Sequence, residues 1–360
     1  MDILILLYLG YGYNKENNMS KYYSHVKAMS YNTPYIFTLG TRSIGKTFDY
    51  TEYCIDKFIK NKRKFIIVRR YKEDLKKIAP KFFDNNIFKH PDLSFRAEGF
   101  SSAEGGKFFI NSEQAGIAIS LSEANRFKGV SLADYDTIWF DEFLNEDDDY
   151  LSDELGKTFS LYQSVARGYG KSFRPEVKFI FTANHVTFNN PYFRDLHIRD
   201  QYRTGSKYTV DKDRGWVLEM TDSPEITEEI ASTAFGKMIA KTKYGEYSLK
   251  AKFYLDDPTF VEKPKGNSNY VCTLAWEKKL FGVYEYMDEG VLYITHKYDK
   301  NCKTIFSLTT ADHKPNYTML YKASSNPISQ YMKFAYDNAL LRFQDDECKY
   351  MFMDYMSFVN

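Results

Sequence analysis

Eight consecutive residues, Gly40-Thr41-Arg42-Ser43-Ile44-Gly45-Lys46-Thr47, follow the pattern G-x4-G-K-[ST] without departure. Two glycines let such a loop turn so that successive backbone N–H groups converge on phosphate oxygens. The helix opening behind the loop adds a favourable dipole. Lys46 then reaches the β- and γ-phosphates of ATP, and the Thr47 hydroxyl is placed to ligate Mg²⁺. The loop follows an apolar run at 35–39 (YIFTL). It opens a segment, 48–61, that carries Tyr50, Cys54, Ile55, Phe58 and Ile59 at helical spacing. Strand, loop and helix in that order are the context this phosphate cradle requires. Arg42 is either a further cation near the phosphates or a solvent-facing loop residue.

A second run, 137–142 (TIWFDE), is an apolar strand ending in two acids. Asp141 is expected to hold Mg²⁺ through its water shell, and Glu142 to accept a proton from the attacking water. Neighbouring side chains on a strand face opposite ways, so the two acids serve one site only if the strand ends there. A third run, 179–184 (FIFTAN), ends in polar residues. If its strand lies beside the other two, Asn184 senses the γ-phosphate or positions water; otherwise it caps the following turn. His185 reads as structural.

ATP hydrolysis of this kind is commonly completed by an arginine, often from a neighbouring subunit, and roughly 10³–10⁵ in rate depends on it. Arg167, ahead of the glycine-rich turn 168–170 (GYG), is the first candidate. Arg126 and Lys128, in 125–129 (NRFKG), are the others. Each is otherwise a solvated surface charge. Lysines and arginines crowd the stretch from Lys57 to Lys81, broken only by Glu73 and Asp74. The stretch is either a phosphate-backbone surface or two solvated helix faces around a buried strand. The acidic run 146–149 is a solvated loop or an extra cation site.

These residues need a frame. Strands are expected at 35–39, 64–68, 116–120, 136–140 and 177–182, and three of them are nearly continuous apolar runs of the kind covered on both faces. With helical stretches between them they indicate an α/β sheet. A charged region follows, with a helix expected over 225–241. Aromatic and β-branched runs at 270–276, 279–284, 291–295 and 304–308 then suggest an antiparallel meander. The stretch 327–356 reads as mostly helical. The expected divisions are an N-terminal extension (1–18), a P-loop ATPase domain (19–199), a helical linker or lid (200–250) and a C-terminal α+β domain (251–360).

Bulk properties narrow the class less. The 360 residues carry 49 Lys+Arg against 48 Asp+Glu, a net charge of +1, so contact with a polyanion must come from local patches. The cysteines Cys54, Cys272, Cys302 and Cys348 form no CxxC pair and have no histidine at ligand spacing along the chain. Neither zinc nor a disulfide framework is indicated, and reduced thiols are expected. The apolar run at 3–9 is far shorter than the roughly 20 residues of a membrane span, so no membrane contact is expected. Met19 is an expected alternative start.

Taken together, the chain resembles the DNA-packaging ATPases of phi29-like tailed bacteriophages, relatives of the large terminases. The resemblance rests on 40–47 (GTRSIGKT), 65–72 (FIIVRRYK), 137–143 (TIWFDEF), 190–193 (NPYF), 244–249 (YGEYSL) and 260–263 (FVEK). It implies an ASCE-type P-loop domain followed by a ribonuclease H-like domain, a fold that large terminases use as a two-metal nuclease with several carboxylates gathered on strand ends. The run 270–275 holds no acid, and Glu262, Glu285, Asp288 and Asp299 are scattered, so a vestigial nuclease fold is expected. The resemblance further implies a homo-oligomeric ring, a pentamer, at the portal vertex of an empty prohead in the host cytoplasm. That ring would drive double-stranded viral DNA inward, with or without a structural packaging RNA. Arg167 matches the family's trans-acting arginine and Lys128 a lysine reaching the neighbour's nucleotide. Arg69, Arg70 and Lys72 match a basic motif facing either DNA or nucleotide. Two rival expectations are a terminase that also cuts DNA and a nucleotide-gated assembly module that moves none.

Overall fold

The computed structural model describes residues 21–100, 105–127, 132–145, 149–167, 173–185, 187–188, 190–199, 201–202, 206–242, 244–245, 260–319 and 326–359. The expectations for 1–18, Met19 and Lys128, and most of 244–249, lie outside them. The chain divides into two compact units, Met1–Asp256 and Asp257–Asn360.

The first unit is built on a nine-stranded sheet. In chain order its elements are α1 (Val26–Ser30), β1 (Tyr35–Gly40), α2 (Lys46–Asn61), β2 (Lys64–Arg69), α3 (Lys72–Ile78), β3 (Phe95–Glu98), β4 (Gly106–Ile110), β5 (Glu113–Ser120), β6 (Tyr135–Asp141), α4 (Glu154–Ala166), β7 (Lys178–Ala183), α5 (Pro191–Asp195), β8 (Tyr208–Asp211), β9 (Trp216–Thr221), α6 (Pro224–Ser232) and α7 (Ala234–Ile239). The strand order is β3-β4-β5-β2-β6-β7-β1-β9-β8. The six central strands, β5 to β9 in that order, run parallel, with antiparallel β3, β4 and β8 at the edges.

Parallel strands flanked by helices must be apolar on both faces, which is why β2, β6 and β7 read as unbroken hydrophobic runs. On one face Phe37 stacks on Phe181 at 4.5 Å and Phe181 on Phe179 at 4.2 Å between ring centroids. On the other, Trp139 meets Tyr50 of α2 at 5.7 Å. Burying each such ring contributes on the order of 2–3 kcal/mol. Both faces are therefore anchored, and the strand ends that carry the polar residues are fixed in register.

Two boundaries differ from the expected ones. Residues 200–250 are not simply a linker: β8 and β9 lie within them, and β9 pairs along the whole of β1, from Tyr35↔Trp216 to Gly40↔Thr221. The helix expected over 225–241 is two, because Thr233 adopts an extended conformation and its side chain accepts a hydrogen bond from Gly236 N–H, capping α7. The hairpin of β3 and β4 carries weak alternation and was not expected from the pattern.

The second unit holds β10 (Ser268–Trp276), β11 (Lys279–Tyr286), β12 (Val291–Thr295), β13 (Ile305–Ser307), β14 (Thr318–Met319), α8 (Pro327–Asp337), β15 (Leu341–Phe343) and α9 (Asp346–Val359). The meander is real for β10–β12, but β13 returns parallel to β10, giving the order β14-β13-β10-β11-β12-β15. Three antiparallel strands, with two more added parallel to the first, make the ribonuclease H-like arrangement. Its acids have structural partners. Glu285 accepts from Tyr331 Oη at 2.6 Å, Asp288 from Asn267 N–H at 3.2 Å and Asp299 from Asn301 N–H at 2.9 Å. Glu262 pairs with Arg342 at 2.7 Å.

Candidate active site

Because β1, β7 and β6 are adjacent and parallel, their carboxyl ends open on one edge of the sheet, where ligands of such folds bind. That edge gathers the glycine-rich loop after β1, Asn184 after β7, and the acid pair at the end of β6. The register places Asp141 opposite Thr182, and Leu39 opposite Ala183.

The loop has the backbone its sequence requires. Gly45 takes φ +93° and Ser43 φ +66°; the left-handed region costs a glycine little and other residues about 1 kcal/mol. At Gly40 the constraint is space, since a Cβ there would stand 2.7 Å from Thr221 Cγ2 and 2.9 Å from Thr221 O. A larger residue would push the loop off β9. Lys46 is buried, and its ammonium donates to the Gly40 and Thr41 carbonyls at 2.8 Å each and to Asn184 Oδ1 at 3.3 Å. Burial pushes the Lys46 pKa down to about 7, partly countered by Asp141. Thr47 is exposed at the start of α2. Arg42 lies with its guanidinium 5.9 Å from the Tyr244 ring centroid.

The acid pair is held by Arg69. Its terminal nitrogens donate to Asp141 Oδ2 and to Glu142 Oε2, each at 2.5 Å. Asp141 Oδ1 accepts from Thr182 Oγ1 at 2.6 Å, and Thr182 Oγ1 accepts from Trp139 Nε1 at 2.8 Å. Asp141 is buried, whereas Glu142 leaves the strand at φ +57° with 63% of its side chain exposed. This is how consecutive strand residues reach one site: the strand stops at Asp141 and the left-handed turn redirects Glu142. Burial opposes the Arg69 charge, but Asp141 and Glu142 more than offset it, and its pKa rises. Arg42, Arg69, Glu142, Asn145 and Asn184 line a cleft of about 270 Å³ at this edge.

Of the two expectations for Arg69 and Arg70, facing DNA or facing nucleotide, their burial beside the active-site cleft disfavours an exposed DNA-contacting role. They are 6% and 5% exposed, and their forks are already filled by carboxylates. Arg70 donates to both oxygens of Glu154 at 2.8 Å and to Phe143 O at 2.6 Å, while Tyr192 Oη and Leu151 N–H also donate to Glu154. Strand β2 is central, so residues ending it point into the molecule. Lys72 is half-buried, 3.5 Å from Glu123. Arg126 is exposed and pairs with the same Glu123 at 2.8 Å. Arg167 is exposed at the C-terminal end of α4. His185 is buried, and burial, with the Lys46 charge adding to it, pushes its pKa down to about 3, so it stays neutral.

One cluster had no motif to announce it. Under the loop, Tyr23 Oη donates to Glu219 Oε2 at 2.9 Å and lies 2.9 Å from Tyr50 Oη, which in turn meets Thr38 Oγ1 at 2.8 Å. Tyr208 Oη donates to the other Glu219 oxygen at 2.6 Å. This network ties β1, α2 and β9 together beneath the phosphate loop. Its only sequence signal is a glutamate inside an apolar strand.

Comparison with known proteins agrees with this geometry. The family model described as podovirus DNA encapsidation protein (Gp16) matches residues 17–359. The DNA packaging protein of Bacillus phage phi29 is 31% identical over 328 residues, 91% of this chain and 94% of that protein. That of Bacillus phage B103 is 30% identical over 320 residues, 88% and 94% of the two chains. Among solved structures, a chain of the phi29 genome packaging motor assembly superposes with a TM-score of 0.70 at 29% identity, covering 95% of this chain and all (100%) of that one. The N-terminal domain of the phi29 DNA packaging ATPase does so with a TM-score of 0.50 at 30% identity over 57% of this chain and 98% of its own. With the loop, the acid pair and the strand order all in place, the chain belongs to the podovirus Gp16 DNA encapsidation family.

Proposed function

We propose that this chain is the ATP-hydrolysing subunit of a motor that moves double-stranded viral DNA into a preformed prohead. The observation that carries the reading is the convergence of Lys46, Asn184 and the Asp141–Glu142 pair on one edge of the sheet, in a chain similar along its length to phage DNA packaging proteins.

The loop binds the nucleotide's phosphates through its backbone N–H groups, and Lys46 exchanges its carbonyl partners for phosphate oxygens. Thr47 and Asp141 offer oxygen donors, the class Mg²⁺ takes, and the acid pair already accommodates a cation in the Arg69 guanidinium. The residues therefore fit the ion, which when bound neutralises charge on the β- and γ-phosphates. Glu142 accepts the proton of the attacking water once it leaves Arg69, and Asn184 reports the γ-phosphate to Lys46 and β7. Arg167 is exposed at the end of α4, and its side chain forms no ion pair with another of the described residues. It serves a neighbouring subunit's nucleotide, with Arg126 and Lys128 as further candidates. A pentameric ring on the portal supplies that neighbour.

No acid cluster is needed for this role, and the partners held by Glu262, Glu285, Asp288 and Asp299 favour a C-terminal unit that contacts prohead, packaging RNA or DNA rather than cutting DNA. Among the described residues no helix is long and apolar enough to cross a membrane. The test is protection of the virus's own DNA from nuclease by matching proheads, purified protein and ATP. Protection that requires ATP is expected; none, or the same protection without ATP, would contradict the reading.

A further inference from the structure

Three donor types meet in the C-terminal unit, away from any motif. His296 directly follows β12, Asp345 directly precedes α9, and Cys348 lies in the first turn of α9. One donor atom from each lies within 4.8 Å of the others. His296 Nε2 is 2.8 Å from Asp345 Oδ2, and Glu347 Oε2 is 3.7 Å from the same nitrogen.

The donors are held from behind. The His296 ring packs on Phe281 at 5.2 Å, and its backbone N–H donates to Gln344 Oε1 at 3.3 Å. Asp345 accepts the Cys348 N–H at 3.0 Å through Oδ1, which leaves Oδ2 for the cluster. Glu347 accepts from Lys279 Nζ at 2.6 Å through Oε1, which leaves Oε2 on the histidine side. Such outer contacts orient ligands before an ion arrives. Cys348 is fully buried, whereas the His296, Asp345 and Glu347 side chains are 35%, 41% and 35% exposed. The cluster is thus a shallow mouth with a sulfur at its base. A histidine–aspartate hydrogen bond, a helix cap, the Lys279–Glu347 pair and a Cys348 thiol hydrogen bond to Asp345 account for these residues one by one; their gathering, with His296, Asp345 and Cys348 donors within 4.8 Å of one another, is what points to an ion.

We propose that His296, Asp345, Cys348 and Glu347 form a zinc site. Mixed nitrogen, sulfur and oxygen donors are what this borderline-soft ion takes, whereas magnesium and calcium prefer all-oxygen sets. A tetrahedral zinc spaces its ligands about 3.3–3.8 Å apart, so the histidine–aspartate pair would open slightly and the sulfur close in. The Cys348 thiol gives its proton to solvent as the sulfur–zinc bond forms. The ion would staple the end of β12 to the start of α9, independently of the nucleotide site.

The experiment uses the full chain, stripped with a chelator and titrated with Zn²⁺ alone and with Co²⁺ as the spectroscopic probe. One ion per chain and a sulfur-to-cobalt charge-transfer band are expected. Cys348→Ala should abolish the band, and both it and His296→Gln should weaken zinc binding at least tenfold, while Cys302→Ala changes neither. Near-ultraviolet circular dichroism of the metal-free chain, to which the buried Trp276 and Tyr355 of the second unit contribute, checks that each variant is folded there; should Cys348→Ala fail that check, His296→Gln, on a partly exposed side chain, carries the test. A folded wild-type chain that shows no sulfur band, or folded variants that bind zinc like the wild type, would overturn the site.

Discussion

Arg69 bridges the two acids of the active site, with one terminal nitrogen on Asp141 and the other on Glu142 at 2.5 Å each. The same guanidinium therefore neutralises the carboxylate that would face Mg²⁺ and restrains the one that would accept a proton.

The two halves of that bridge differ in worth. Glu142 is largely exposed, so its pairing contributes little, but Asp141 is buried. Arg69→Ala is expected to destabilise the nucleotide-free protein by about 3 kcal/mol by leaving Asp141 uncompensated. Mg·ATP should recover part of the loss. Thermal unfolding with and without Mg·ATP checks this; equal melting of variant and wild type would contradict it.

Arg70 makes a different prediction from the one its sequence suggests. Arg70→Ala removes the partner of a carboxylate that is 3% exposed, a loss of about 3–5 kcal/mol in stability. DNA affinity, measured below the variant's melting temperature, should remain at the wild-type value. A folded variant with normal stability and weakened DNA binding would return Arg70 to the surface.

Lys46 sets a pH dependence. Its pKa is pushed down to about 7 by burial, whereas an unfolded lysine titrates near 10.4. Between those values the unfolded chain binds more protons, so the nucleotide-free protein gains stability as pH rises from about 7 towards 10. Phosphate favours the charged amine, so ATP binding at pH 8 should take up close to one proton. Calorimetry in buffers of different ionisation enthalpy measures it. Lys46→Arg, which stays charged, should abolish the uptake.

Arg167→Ala should leave ATP affinity nearly intact and lower turnover by roughly 10³-fold or more. Lys46→Ala subunits cannot use their own nucleotide but keep Arg167. Mixing the two variants should restore some hydrolysis, and a failure at every ratio would count against action between subunits.

Much of this site was legible in the sequence because backbone requirements mark it. A loop that must cradle phosphates needs Gly40, Gly45 and Lys46 at fixed spacing, and a strand buried on both faces that ends in Asp141 and Glu142 is conspicuous. What the sequence hid was direction. Arg69, Arg70 and Lys72 share one basic run, yet two end a central strand and point inward while the third begins a surface helix. Pairing was hidden too. Strand β9 looked like part of a charged linker because its neighbour β1 lies far away in the chain, and His296 and Cys348 come together only once β12, β15 and α9 are assembled.

The central claim is that hydrolysis between Lys46 and Glu142 drives DNA movement, and Glu142→Gln tests it most directly in a packaging reaction with matching proheads. The variant should bind ATP as the wild type does, hydrolyse it about 10²–10⁴-fold more slowly, and leave the heads empty. Heads filled at the normal rate by that variant would contradict the account.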